Sequence, residues 1–102
     1  CIYTMNAKIT SEKLERYFSI TKEALDKAKN ALDLSRKAQA EDFFDMASRY
    51  YRDAQYFFST KNDAVLAFAA LNYAHGWLDA GARIGLFTVN DSRLFTVDEE
   101  TA

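Results

Sequence analysis

The residues best able to do chemistry are Asn72, His75, Asp79 and Arg83, with Asp53 upstream. His75 is the only histidine, and an imidazole titrates near neutral pH. On a helix, spacings of three, four and four place Asn72, His75, Asp79 and Arg83 within about 80° of arc. Asp79 can then reach His75 on one side and Arg83 on the other. A carboxylate beside an imidazole raises its basicity, as in many acid–base pairs. Such a pair still needs a nucleophile, a pocket and a substrate, and the sequence displays none. Asp53 joins the group only if a second helix brings it beside the stripe, forming a concave small-molecule site.

Other chemistries find less support. One histidine with one aspartate is thin for a metal, and the Glu-x-x-His signature of di-iron bundles fails because position 72 is asparagine. No cofactor motif, Gly-rich phosphate loop or Ser-His-Asp order is present. Helical nucleases of the HEPN class would carry arginine with four to six residues between it and the histidine, where Phe68, Ala69 and Ala70 occur. The net charge is −2, from 13 Lys and Arg against 15 Asp and Glu. That balance argues against nucleic-acid binding through Lys22, Lys29, Arg36 and Lys37. No apolar run approaches the roughly 20 residues that span a bilayer. Cys1 is the only cysteine, so an internal disulfide is excluded. A soluble cytoplasmic protein is expected.

The elements that must position the polar stripe are helical. The 102 residues match a single domain in size, and 49% are hydrophobic while proline is absent. Residues 11–38 read as one amphipathic helix, capped by Thr10 or Ser11. Leu14, Phe18, Thr21, Leu25, Ala28 and Leu32 alternate spacings of four and three, and Tyr17, Ala24, Ala31 and Ala38 widen that seam. Its other face carries i,i+4 pairs: Glu12–Arg16, Glu23–Lys27, Lys29–Asp33 and Asp33–Lys37. A second helix is expected over 41–59, with apolar rows Phe43, Ala47, Tyr50, Ala54, Phe57 and Phe44, Tyr51, Phe58. The break between the two is poorly marked, so one continuous helix is the alternative.

Asn62 or Asp63 caps a third helix over 63–84, and Gly85 follows as the left-handed C′ residue. Leu66, Ala70, Ala74, Trp77, Gly81 and Ile84 form its expected core face, with Trp77 at the centre. Gly76 and Gly81 suggest close approach of other groups, since glycine in a helix costs about 1 kcal/mol relative to alanine. In the tail, Leu86-Phe87-Thr88-Val89 is echoed by Leu94-Phe95-Thr96-Val97, which suits a hairpin with a four-residue loop.

The fold class is therefore all-α: an up-and-down three-helix bundle with a short C-terminal extended or hairpin tail. Residues 11–97 form the domain, and residues 1–10 are expected to be poorly ordered. Met5 reads as a natural start. A tetratricopeptide-like hairpin is visible in 49–74, but one unit makes no solenoid.

The segment "MASRYYRDAQYFFSTKNDAVLAFAALNYAHGWLDAGARIGLF" resembles the archaeal domain-of-unknown-function family 357. The resemblance covers about residues 11–97. It is most specific at Tyr50-Tyr51, Asp53-Ala54, Tyr56-Phe57 and 73–81. It implies a compact three-helix bundle from an archaeal cytoplasm and implies no activity.

Two functions follow as expectations. The first is a non-enzymatic protein-interaction module, self-associating or binding another protein. Its basis is surplus apolar surface at Phe44, Tyr51, Phe58, Phe68 and a two-faced tail. The alternative is a small-molecule binder or enzyme using Asp53, Asn72, His75, Asp79 and Arg83, with no cofactor.

Overall fold

The computed structural model describes residues 5–96. It contains three α-helices: α1, Ser11–Lys29; α2, Lys37–Ser59; and α3, Ala64–Arg83. One turn of 3-10 helix, Leu34–Arg36, lies between α1 and α2. This is the expected all-α bundle. α2 and α3 form the tightest pair, and α1 packs more lightly against both.

The α2–α3 seam is lined with alanine. Ala40, Ala47 and Ala54 recur at sevens on α2, and Ala67, Ala70 and Ala74 face them from α3; all are buried. Small side chains let two helix backbones approach closely. The large rings are displaced to the flanks of that seam. Phe43 meets Trp77 edge-on at 5.0 Å, and Tyr50 meets Tyr73 at 4.4 Å. Trp77 is thus half-buried at an edge rather than at the centre, because a seam this narrow has no room for an indole. The core divides into two clusters. One gathers Ala24, Leu25, Ala28, Ala47, Leu78, Ala82 and three tail residues; the other gathers Leu14, Ala54, Ala67, Ala70 and Leu71. Tyr51 packs against both. Ile9, from the N-terminal segment, packs against the second.

α1 ends nine residues before the expected Lys/Ala boundary at 38. Asn30 caps it, and the chain then runs extended. Around 31–33 the tail supplies backbone partners in place of a continuing helix. Thr88 N–H donates to the Ala31 carbonyl at 2.8 Å, Asp33 N–H donates to the Leu86 carbonyl at 2.8 Å, and Leu32 bridges Phe87 antiparallel. Asp33 then caps the 3-10 turn: its carboxylate accepts from the Ser35 N–H and hydroxyl and from Arg36 Nε. These bonds hold the Asp33 carboxyl below its ordinary pKa, Ser35 contributing most. Asp33 therefore punctuates the chain, as Asp and Ser do in turns, and does not serve the expected helix-face pairs.

The α2–α3 connection and the end of α3 match their sequence signals. Asn62 takes a positive φ of 52°, and the Asp63 side chain accepts from the Leu66 N–H at 3.0 Å. Gly85, φ 80°, ends α3 in the left-handed region. Arg36 Nη2 donates to the Ile84 carbonyl at 2.9 Å, neutralising a free carbonyl at that terminus.

The tail is the extended alternative, not a hairpin. Leu94 and Phe95 lie in a turn closed by their N–H groups on the Asp91 carbonyl, at 3.0 and 2.9 Å. Val97 lies outside the described residues. Leu86, Phe87, Leu94 and Phe95 are all buried, so the tail is part of the core rather than surplus surface. Phe87 is the largest fully buried side chain. It occupies a notch above Gly81, where an added Cβ would overlap its ring. The same test at Gly76 meets nothing within 4 Å, so close packing explains one glycine and not the other.

Candidate functional site

The polar stripe of α3 lies beside the tail. His75, Asp79 and Arg83 line a cavity of about 390 Å³ with Ser92, Arg93, Leu94, Phe95 and Thr96. Asn72 and Asp53 are exposed and are not among its lining residues. The structure thus gathers three of the five candidate residues and leaves two apart.

Two members of the stripe, His75 and Asp79, already bind the tail. His75 Nε2 makes a short hydrogen bond to the Leu94 carbonyl; a carbonyl only accepts, so the ring carries its proton on Nε2. Asp79 Oδ1 accepts from the Thr96 N–H at 2.8 Å. The His75–Asp79 approach is 3.9 Å, longer than a hydrogen bond. Proton transfer through His75 Nε2 would require the tail to leave. Both side chains satisfy backbone groups of a segment with no regular structure of its own.

Charged pairs clasp the same segment from α1. Arg93 donates to Glu23 through both terminal nitrogens, at 3.2 and 2.6 Å, a bidentate arrangement. The Arg93 hydrogen bond lowers the Glu23 pKa, and Glu23 raises that of Arg93 in return. Lys27 Nζ reaches Asp91 at 3.1 Å, and that bond lowers the Asp91 pKa. Glu23 and Lys27, expected to pair along the helix, instead reach across to the tail. Sequence spacing alone gives no sign of these partners, 64 and 70 residues away.

A different surface covers the outer side of α3. Residues 64–78 contain no Asp, Glu, Lys or Arg. Yet Val65 is 68% exposed, Leu66 46%, Tyr73 59% and Ile84 53%. Ala69, Gly76 and Ala80 are exposed between them. Phe43, Tyr73, Gly76, Trp77 and Ala80 enclose a shallow, mainly apolar groove of about 480 Å³. By contrast, the outward side of α2 carries exposed Glu41, Arg49, Arg52 and Asp53. Leu66 and Ile84 were expected in the core. The true core face, Ala67, Ala70, Leu71, Ala74, Leu78, Gly81 and Ala82, is rotated from the expected one by part of a turn. The signal for the outer face was legible: the spacing of Leu66, Ala69, Tyr73, Gly76, Ala80 and Arg83 is three, four, three, four, three.

The sequence profile of a protein family of unknown function, DUF357, matches residues 16–87. The chain belongs to the DUF357 family. The match covers most of all three helices and reaches Phe87, the tail residue that fills the Gly81 notch. DUF357 membership carries no activity with it. No curated protein and no solved structure matches the chain. Among the described residues, no three of His, Cys, Asp and Glu gather as a metal site requires, and no helix is long and apolar enough to cross a membrane.

Proposed function

We propose that this DUF357 protein is a non-enzymatic interaction module of an archaeal cytoplasm. The observation that supports it is the bare outer face of α3. Exposed aliphatic and aromatic side chains are ordinary when scattered; a contiguous strip along a helix whose only charged member is Arg83, at its end, is not. Interface cores are depleted of Lys, Glu and Asp and enriched in Tyr and Trp; this strip has none of the first three, carries Tyr73 and borders Trp77. Gly76 adds to the argument. It weakens a helix by about 1 kcal/mol relative to alanine, and among the described residues no group lies within 4 Å of where its side chain would begin.

A photo-crosslinking residue at Tyr73, in the full chain within native cell extract, tests the proposal. A discrete protein adduct that disappears when Gly76→Glu is added supports it. No adduct from position 73 overturns it.

The second reading, a small-molecule site at His75, Asp79 and Arg83, draws support from the cavity these residues line. It is the weaker one, because His75 and Asp79 already bind tail backbone. Calorimetric or NMR binding of a ligand that shifts the His75 ring signals and is lost in Asp79→Asn would favour it.

A further inference from the structure

Resting on the interaction reading, we propose that the outer face of α3 receives the same face of a second copy, with the two helices antiparallel. The strip Leu66, Ala69, Tyr73, Gly76, Ala80 and Arg83 has the three-and-four spacing of a helix–helix seam. Centred between residues 74 and 75, an antiparallel pair sets Tyr73 over Gly76 of the second copy and Ala69 over Ala80 of the second copy. Each ring meets a missing side chain, and each methyl meets a methyl. Leu66 then lies beside Ile84 of the second copy on the same edge of the seam. Exposed Val65 lies along the stem of the other Arg83.

The groove accepts the ring that this register supplies. Its floor is Gly76 and Ala80, and its walls include Phe43 and Trp77. Tyr73 of one copy enters that groove in the other, and the exchange is mutual, as a two-fold interface requires. Small residues at the seam let the axes approach to about 8 Å. Residues 64–78 carry no Asp, Glu, Lys or Arg, and the described part of the tail packs on the His75–Asp79 side; Arg83, at the end of the seam, also lines the cavity there.

The area fits a reversible dimer. From Val65 to Ile84 the helix runs about 29 Å and is about 10 Å wide. Such a strip covers roughly 300 Å² on each copy in projection, below the range for stable interfaces and in keeping with a weak, transient one. A weak, concentration-dependent dimer is therefore expected.

Sedimentation equilibrium of the full chain tests this, with variants that pin the register. The wild-type mass is expected to double with concentration. Gly76→Glu is expected to remain monomeric with its helical signal preserved and its melting temperature no lower, because a Cβ at 76 meets nothing within 4 Å among the described residues and glycine is the poorer helix former. On a Cys1→Ser background, Ala69→Cys with Ala80→Cys should oxidise to a covalent dimer, whereas Ala69→Cys alone should not. A wild-type monomer throughout, a dimer indifferent to Gly76→Glu, or efficient linkage by Ala69→Cys alone would each overturn the proposal. A monomer that still gives a Gly76-sensitive adduct with a different protein from position 73 sinks this inference and leaves the interaction reading standing. A monomer with no adduct sinks both.

Discussion

The two sides of α3 invert their appearance in the sequence. The side bearing Asn72, His75, Asp79 and Arg83 has the residue types of an active site, yet His75 and Asp79 bind the backbone of the tail. The other side has the residue types of a core, yet Val65, Leu66, Tyr73 and Ile84 stand in solvent. The lesson is that residue type marks capability, and geometry decides whether the capability is already used within the chain. Polar groups spent on an irregular segment are structure. Apolar groups with no neighbour are the part of the molecule still available to something else.

The sharpest way to break that comparison is to remove the residue on which the tail side depends. Phe87→Ala should cost about 3–5 kcal/mol in chemical denaturation, the range for deleting a fully buried phenylalanine. A loss of under about 1 kcal/mol would show the tail to be dispensable. The two helix glycines should then respond with opposite signs. Gly81→Ala forces a methyl into the Phe87 ring and should destabilise by about 1–3 kcal/mol. Gly76→Ala places a methyl in open space and should stabilise the monomer by up to about 1 kcal/mol while weakening self-association. Thermal melts of the two variants side by side read both signs.

A smaller effect is expected on the polar side. Asp79→Ala removes the acceptor for the Thr96 N–H and should cost about 1 kcal/mol. It should also speed tryptic cleavage after Arg93, with cleavage within α2 unchanged. The smallest effect concerns pH. Glu23 and Asp91 have lowered pKa values in the folded chain, through their bonds to Arg93 and Lys27. Their contribution is therefore fully present above the ordinary carboxylate values of 4.5 and 3.8, and it fades as pH falls through the lowered folded values. Tail protection from trypsin-like cleavage, read with an acid-active protease, should weaken below about pH 4.5 before the helices unfold. Glu23→Gln should remove part of that pH dependence.

The helices were legible because their signals are local. Asp63 before an apolar run, Asn62 in a left-handed turn, and Gly85 after the last helical residue all act within a few positions. The early end of α1 was not legible. Nothing in "KNALDLSRK" breaks a helix outright, and the decisive partners, the Leu86 carbonyl and the Thr88 N–H, lie more than 50 residues away. The tail's role was hidden for the same reason: the repeated Leu-Phe-Thr-Val suggested self-pairing, while both copies are drawn into the core by Leu86, Phe87, Leu94 and Phe95. Of the candidate site, the arc shared by His75, Asp79 and Arg83 followed from helical periodicity alone. That the arc faces the tail and not a substrate depends on where an irregular segment lies. The outer seam was visible as spacing, but a core seam has the same spacing, and only burial separates them.

The central claim is that the outer face of α3 is the working surface and the polar face is not. An amide and indole NMR dilution series of uniformly labelled protein tests it directly, because Trp77 is the only tryptophan and its indole N–H gives one signal beside the groove. That signal, with the signals of Val65, Leu66, Tyr73 and Ile84, should shift as concentration rises, while those of His75 and Thr96 stay fixed. Movement at His75 and Thr96 with a stationary indole would contradict the account.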